Sequence, residues 1–427
     1  MVYVKNLILG GGIAGLAAGT HLNELGEEYL IVERATQPGG LCASFSVDNF
    51  IFDYFIHLSF TNSNLVRKYF DTIPYYTHIP NPRNYYHGIW IKHPSLNNLF
   101  PLPKEEKYKV LLGLSSRDKY KDVRLDNYEY WLKYQFGDYF AENFPLVYTR
   151  KYWTVEAKDM ETKWVGNRIY QPTIEEIREG MDTSETPVTY YAKEMRYPVN
   201  GGYAEYLKSF THVENIKLDE KVVYINPSTK VVKTDSNEYS YEKLYNSIPL
   251  PELIPLIDNK INGYEEIMEV VHNLHWTSGY LVSVGCRGEI PRKDLWDYVY
   301  DADIDIARFY SPSLMSSNTV PTCHYSIQAE IYTKDGRMID EGADILNKAI
   351  EQLDKMGVLR TNEVVVKDIR FIKYCNIIFD HEIYENRERI LKFLNDNNII
   401  SIGRFGRWDY LWSDQSFISG YNAVNKV

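Results

Sequence analysis

Gly10, Gly12 and Gly15 stand at the spacing G-x-G-x-x-G, behind the apolar run 7–9 and ahead of an apolar-periodic stretch at 13–25. Residues of this type at this spacing bind a pyrophosphate. Gly10 makes the tight turn, Gly12 lets a phosphate reach the backbone, and Gly15 lets a helix pack closely on a strand. The first N–H groups of that helix have no partners within it and are free to hold an anion. Glu33, about 20 residues further on, is an acceptor for a ribose 2′-hydroxyl. The elements that must position these groups are a buried strand at 7–9, a helix at 13–25 stopped by Gly26, and a second strand at 29–32 ending at Glu33. Glycine-rich turns arise by chance in long chains. This one has its strand, its helix and its acid, and it specifies a Rossmann-like dinucleotide-binding unit.

Composition narrows what the rest of the chain does. A chain of 427 residues with 44% hydrophobic content has room for two or three domains, or for one large domain with an insertion. A formal charge of −11 argues against non-specific nucleic-acid binding. No apolar run is long enough to span a bilayer, and no signal peptide is expected, since the amino terminus leads directly into the first strand. Cys42, Cys286, Cys323 and Cys375 are scattered without a CxxC pair, and the 10 histidines show no metal-binding spacing. A cytoplasmic protein without a disulfide framework or a metal site is expected. Tyrosine is abundant, with 37 copies. Its face and hydroxyl suit a cleft for a sugar or a nucleotide, although a coding bias towards Tyr, Asn, Lys and Ile gives the same excess.

Further along, strand material is expected at 47–58 and a hairpin about His87-Gly88. Residues 104–178 read as mainly helical, with one amphipathic helix at 128–144 carrying Tyr128, Trp131, Leu132, Phe136, Phe140 and Phe144. A short helix follows Gly201-Gly202. Strands are expected at 216–225, 231–233, 238–244, 275–284, 323–333 and 397–403, with helices at 340–355 and 412–424. Six segments follow. Residues 1–80 open the nucleotide-binding domain, 81–102 form a hairpin of a substrate domain, and 103–200 are a helical insertion. Residues 201–260 return to the nucleotide-binding domain with an antiparallel excursion, 261–395 build the mixed-sheet substrate domain, and 396–427 close the nucleotide-binding domain. The fold class is α/β, with interleaved domains.

Pro38-Gly39-Gly40 is a second glycine turn directly after the acid, and at this distance it resembles the FAD-binding members of the fold. Four more segments point the same way: Phe52 to Phe60, Trp90 to Asn98, Trp164-Val165-Gly166-Asn167-Arg168, and Gly403-Arg404-Phe405-Gly406-Arg407-Trp408-Asp409-Tyr410 running on to Asp414-Gln415-Ser416. Together the chain resembles the UDP-galactopyranose mutase family, within the FAD-dependent amine-oxidase-like proteins. It departs from that family at Phe55 and Ile56, where the family usually has two glycines.

The resemblance implies FAD, with Gly10, Gly12, Gly15, Glu33, Gly39 and Gly40 along its dinucleotide. His57 would lie against the flavin, and Arg83, Arg404, Asp414 and Gln415 would hold the flavin or its pyrophosphate. Trp164 and Arg168 of the insertion would bind the nucleotide of the substrate, and Arg308, Tyr374 and Tyr410 its diphosphate. The implied activity interconverts the pyranose and furanose forms of a UDP-sugar such as UDP-galactose, through attack of reduced flavin N5 on the anomeric carbon. Its partners would be the UDP-sugar and a reductant or reduced nicotinamide cofactor. A homo-oligomer is compatible with the sequence. This chemistry needs orientation and charge neutralisation, and no Ser-His-Asp triad, paired carboxylates or metal cluster is evident. Two other readings stand beside it: an FAD-dependent oxidoreductase of the amine-oxidase or desaturase type, and a non-enzymatic flavin-bound assembly protein.

Overall fold

A computed structural model describes residues 1–166, 168–190, 192–339 and 342–426, with the side chain of Lys426 left aside. Two seven-stranded sheets organise it. The first is built on Val2–Leu9, which pairs in parallel with Tyr29–Val32 on one side and Glu238–Asn246 on the other. Leu7, Ile8 and Leu9 are fully buried, as a strand covered on both faces requires. Ile216–Lys217 extends this sheet beyond Tyr29–Val32. At the other edge Val231–Thr234 and Val222–Asn226 add antiparallel strands, and Ile399–Ser401 pairs in parallel with Glu238–Asn246.

The second sheet runs in the order Val364–Ile377, Trp276–Arg287, His324–Lys334, Arg308–Tyr310, Trp296–Val299, Arg83–Tyr86, Ile89–Lys92. Every neighbouring pair is antiparallel except Trp296–Val299 with Arg83–Tyr86. The hairpin about His87-Gly88 therefore joins the sheet at its end, with both turn residues at positive φ. Helices Lys104–Ser115, Tyr128–Phe136, Asp138–Asn143, Pro145–Tyr152 and Ile174–Asp182 form the helical layer.

Several expectations need correction. The single helix at 128–144 is two, because Gly137 turns the chain at φ 75. A Cβ there would come within 2.5 Å of the Gly113 carbonyl carbon, so the break is also where two helices meet. The strand material at 47–58 stops at Asp53, in the hairpin Ser44–Val47 with Phe50–Asp53. The buried Asp53 carboxylate accepts hydrogen bonds from Ser44 Oγ (2.6 Å), Tyr197 OH (2.6 Å) and Tyr203 N (2.9 Å), and just beyond it Phe55, at φ 67, takes the backbone out of the strand region. Residues 216–225 form two short strands, and Glu238–Asn246 is a central strand of the first sheet. Strand Val364–Ile377 and helix Ile383–Asp396 were not anticipated. Asp340 and Glu341 of the expected helix at 340–355 lie outside the described residues; the rest is Gly342–Lys355.

The closing helix Ser413–Ala423 packs across the first helix, Ile13–Glu24. A Cβ on Gly420 would collide with the Ala14 carbonyl. The two ends of the chain thus meet at one seam.

Candidate functional site

One cavity of about 1010 Å³ runs from the amino-terminal glycine turn, between the two sheets, to the helical layer. Its outer end is lined by Gly10, Gly12, Glu33, Gly39 and Gly40. Gly10 has φ 96, and Gly15 brings the helix so close that a Cβ would collide with the Gly10 carbonyl oxygen. A Cβ on Gly12 would meet nothing within 4 Å, so the backbone faces open space where a pyrophosphate needs it bare. Gly39 N donates to Gly11 O at 2.8 Å, which holds the second glycine turn against the first. Glu33 is held by the Gly11 and Ala35 N–H groups at 2.6 and 2.8 Å, with its carboxylate at the cavity wall. This cradle fits a dinucleotide.

Midway, Tyr54 to His57 form a wall. Phe55 holds φ 67, a region that costs a non-glycine residue about 1–2 kcal/mol, and its ring stacks on Tyr332 at 6.0 Å. Burial foremost, with Arg308 and Arg404 adding, pushes the His57 imidazole down to about 4. The wall thus presents a neutral imidazole at physiological pH.

The inner chamber lies between helix Pro145–Tyr152, the second sheet and the loop before the closing helix. Arg168 donates from Nη1 to Trp164 O (2.9 Å) and from Nη2 to Tyr410 O (2.8 Å), and its guanidinium lies over the rings of Tyr410 and Trp412 at 4.6 and 5.0 Å. Arg404 donates to Leu411 O (3.1 Å) and Asn376 Oδ1 (2.8 Å) and lies 4.8 Å from the Tyr410 ring. The Nε of each is buried and has no hydrogen-bond partner among the described residues. Two guanidinium groups lie over one tyrosine at the cavity wall, and each terminal nitrogen carries a second N–H beyond the one bonded here, chemistry that suits an anion.

Arg308 also lines the chamber but is already paired. It donates from Nε and Nη2 to Glu330 at 2.8 and 3.0 Å, and Tyr332 OH donates to the same carboxylate at 2.7 Å. Burial opposes the charge on Arg308, and Glu330 outweighs it and keeps the guanidinium protonated. Tyr374 sits away from this pair, among Trp276, Phe405 and Trp408, and near the Arg34–Glu252–Lys373 cluster.

The structure thus gathers Gly10, Gly12, Glu33, Gly39, Gly40, His57, Trp164, Arg168, Arg308, Arg404 and Tyr410 around one cavity, with Tyr374 on its wall. Arg83 is not brought there: it is half exposed and paired with Asp294 at 3.2 Å, because its strand lies towards the far end of the second sheet. Asp414 and Gln415 also stand outside the lining. Asp414 accepts from the Gln415 N–H, and the Gln415 side chain caps the helix by accepting from Trp412 N at 2.9 Å. Asn167 of the Trp164–Arg168 segment lies outside the described residues. Sequence reasoning missed Tyr148, Tyr152, Glu330, Tyr332 and His93. Tyr148 and Tyr152 are four apart on one helix, a periodic signal that could have singled them out.

Comparison with known proteins agrees with this architecture. Residues 8–73 match the model of the NAD(P)-binding Rossmann-like domain. A reduced UDP-galactopyranose mutase superposes with a TM-score of 0.92 at 22% identity, over 99% of this chain and 95% of that one. A protein assigned as protoporphyrinogen oxidase from Exiguobacterium sp. 255-15 gives 0.74 at 16% identity, over 99% and 98%. Putrescine oxidase bound to putrescine gives 0.63 at 12% identity, over 99% and 98%. The fold anticipated from the sequence is therefore the fold observed, and proteins that share it carry names of different activities. Among the described residues no helix is long and apolar enough to cross a membrane.

Proposed function

We propose that this chain is a flavin-dependent isomerase that interconverts the pyranose and furanose forms of a UDP-sugar, with FAD lying along the Gly10–Gly15 and Gly39-Gly40 turns. The observation that carries this reading is the convergence of Arg168 and Arg404 on Tyr410 inside the same cavity that opens at the glycine cradle. In a chain of net charge −11, two guanidinium groups side by side on the cavity wall, with no carboxylate paired to either among the described residues, suit an anion such as a diphosphate.

Bound and reduced, a flavin would supply the nucleophile at the anomeric carbon. The chain's own residues do the rest. Arg168 and Arg404 neutralise the leaving diphosphate and keep it in place for its return, while the Tyr410 ring fixes both guanidinium planes. Trp164 packs under Tyr410, 6.0 Å between centroids, and supports that face. His57, held neutral, presents no competing cation beside the sugar. Phe55 and Tyr332 close the wall against water.

A second reading, an FAD-dependent oxidoreductase of the amine-oxidase or desaturase type, draws on the Glu330–Arg308 pair, which leaves one chamber cation neutralised before any substrate arrives. The two readings separate in one experiment. Dithionite-reduced protein, but not oxidised protein, should convert UDP-galactofuranose to UDP-galactopyranose without net consumption of reductant. Turnover of an amine or another reduced substrate with stoichiometric peroxide, and none of the UDP-sugar, would favour the oxidoreductase.

A further inference from the structure

The three arginines of the chamber differ in what holds them. Arg308 is met by the Glu330 carboxylate, with 2.7 Å between Nη2 and Oε2, so its charge is neutralised inside the protein. Arg168 is met by two backbone carbonyls. Arg404 is met by the Leu411 carbonyl and by the side-chain oxygen of Asn376. Asn376 therefore stands to Arg404 as Glu330 stands to Arg308, with an amide in place of a carboxylate. The two come from Val364–Ile377 and His324–Lys334, the strands on either side of Trp276–Arg287.

The orientation of this amide follows from its partners. A guanidinium only donates, so the atom 2.8 Å from Arg404 Nη2 is the oxygen. Nδ2 then donates to Thr277 Oγ1 at 3.2 Å, and the Asn376 backbone N–H donates to the same oxygen at 3.1 Å. Thr277 is fully buried, and Asn376 is buried at the cavity wall. The amide oxygen also accepts from Tyr152 OH at 3.2 Å. One side chain thus ties the second sheet to the segment before the closing helix and to the helical layer. Around it stand Arg404, Tyr152, Tyr410, Cys375 and the Arg308–Glu330 pair. Burial foremost raises the Tyr152 hydroxyl and the Cys375 thiol well above their ordinary values, so both stay neutral.

We infer that Asn376 is a positioning residue that aims Arg404 at a bound anion while leaving the guanidinium charge uncompensated. The inference rests on the nucleoside-diphosphate reading of the cavity. An aspartate of the same shape would hold Arg404 as firmly but would neutralise it, as Glu330 neutralises Arg308, and would repel a diphosphate at close range.

Calorimetric titration of the flavin-loaded protein with UDP compares the parent with two variants. Asn376→Asp should weaken UDP by at least about tenfold at pH 7.5, with the flavin spectrum unchanged. A diphosphate beside the new carboxylate favours its protonated form, so binding takes up a proton. The deficit relative to the parent should therefore shrink as the pH falls to 5.5. A lesion of packing alone gives a deficit that ignores pH. Asn376→Leu removes the acceptor without adding charge, and should weaken UDP roughly 2- to 10-fold, by the same factor at both pH values. Undiminished UDP affinity in either variant would overturn the inference and leave the functional reading intact. A deficit of Asn376→Asp that is the same at both pH values would overturn it too. If the parent itself binds no UDP, the functional reading falls and takes the inference with it.

Discussion

Arg308 shows how a partner changes what a side chain can do. Its two donors meet both oxygens of Glu330, a carboxylate with no exposed surface. Removing the cation leaves a buried carboxylate unpaired, which costs about 3–5 kcal/mol. Arg308→Ala should therefore lower the melting temperature markedly, and Arg308→Met with Glu330→Gln should recover much of the loss. Arg168→Ala should behave otherwise, weakening UDP by roughly 10- to 150-fold while the flavin spectrum and the melting temperature stay near parental values. Equal loss of flavin and UDP in that variant would assign Arg168 to folding. Gly12→Val tests the cradle: its side chain enters the open space over the backbone, so flavin occupancy after purification should fall sharply. The glycines and Glu33 were legible from a spacing that carries its own chemistry; Arg168, Arg404 and Tyr410 were singled out only by contiguous segments that resemble a known family, and the structure brings them to the same cavity. The pairing of Arg308 was not, because Glu330 comes from a neighbouring strand and no local spacing links the two.

Elements were legible where local signals and tertiary demands agree. The helix and second strand at the amino terminus came out within a residue of the observed bounds, since glycine stops and periodicity coincide there, while the first strand starts at Val2, five residues before the apolar run that marked it. The helix at 128–144 did not, because its apolar spacing continues across Gly137 while the backbone cannot. Strand Val364–Ile377 escaped notice because Lys367, Asp368, Arg370 and Lys373 interrupt its apolar pattern, although its length anchors the second sheet. The seam between the first and closing helices carries a further prediction. Gly420→Ala places a methyl against the Ala14 carbonyl, so the helices must part. Overpacking of this kind costs about 1–3 kcal/mol. Because Ile13, Ala14, Ser413 and Ser416 all border the cavity, flavin affinity should fall together with the melting temperature. A lower melting temperature with flavin affinity unchanged would confine the seam to a scaffolding role.

Across the whole molecule, buried titratable groups of opposite kinds set the dependence of stability on pH. Burial foremost pushes His57 and His93 down, to about 4 and about 3. Between these values and the ordinary imidazole value near 6.5 the unfolded chain binds more protons than the folded one. The stability linked to them is complete above about pH 6.5 and is lost as the pH falls. Asp297 has the opposite sign. Burial, reinforced by Asp294 and opposed by Arg292, raises its carboxyl to about 8, so its contribution is complete below about pH 4 and is lost as the pH rises through 8. Each group has a limiting slope of about 1.4 kcal/mol per pH unit, and between about pH 4 and 6.5 the two kinds oppose each other. The parent's own profile therefore hides both, and variants should separate them. Asp297→Asn keeps an oxygen to accept from Arg83 N, a bond of 2.9 Å in the parent, and cannot ionise. Relative to the parent it should be near neutral at pH 4.5 and progressively more stable up to about pH 8. The double variant His57→Gln with His93→Gln should gain on the parent in the other direction, as the pH falls from 6.5 to 4.5. Urea denaturation at pH 4.5, 6 and 7.5 reads both differences. A stability difference that stays constant across the three pH values would show that the replaced groups titrate alike in the folded and unfolded chain, and would remove them from the balance.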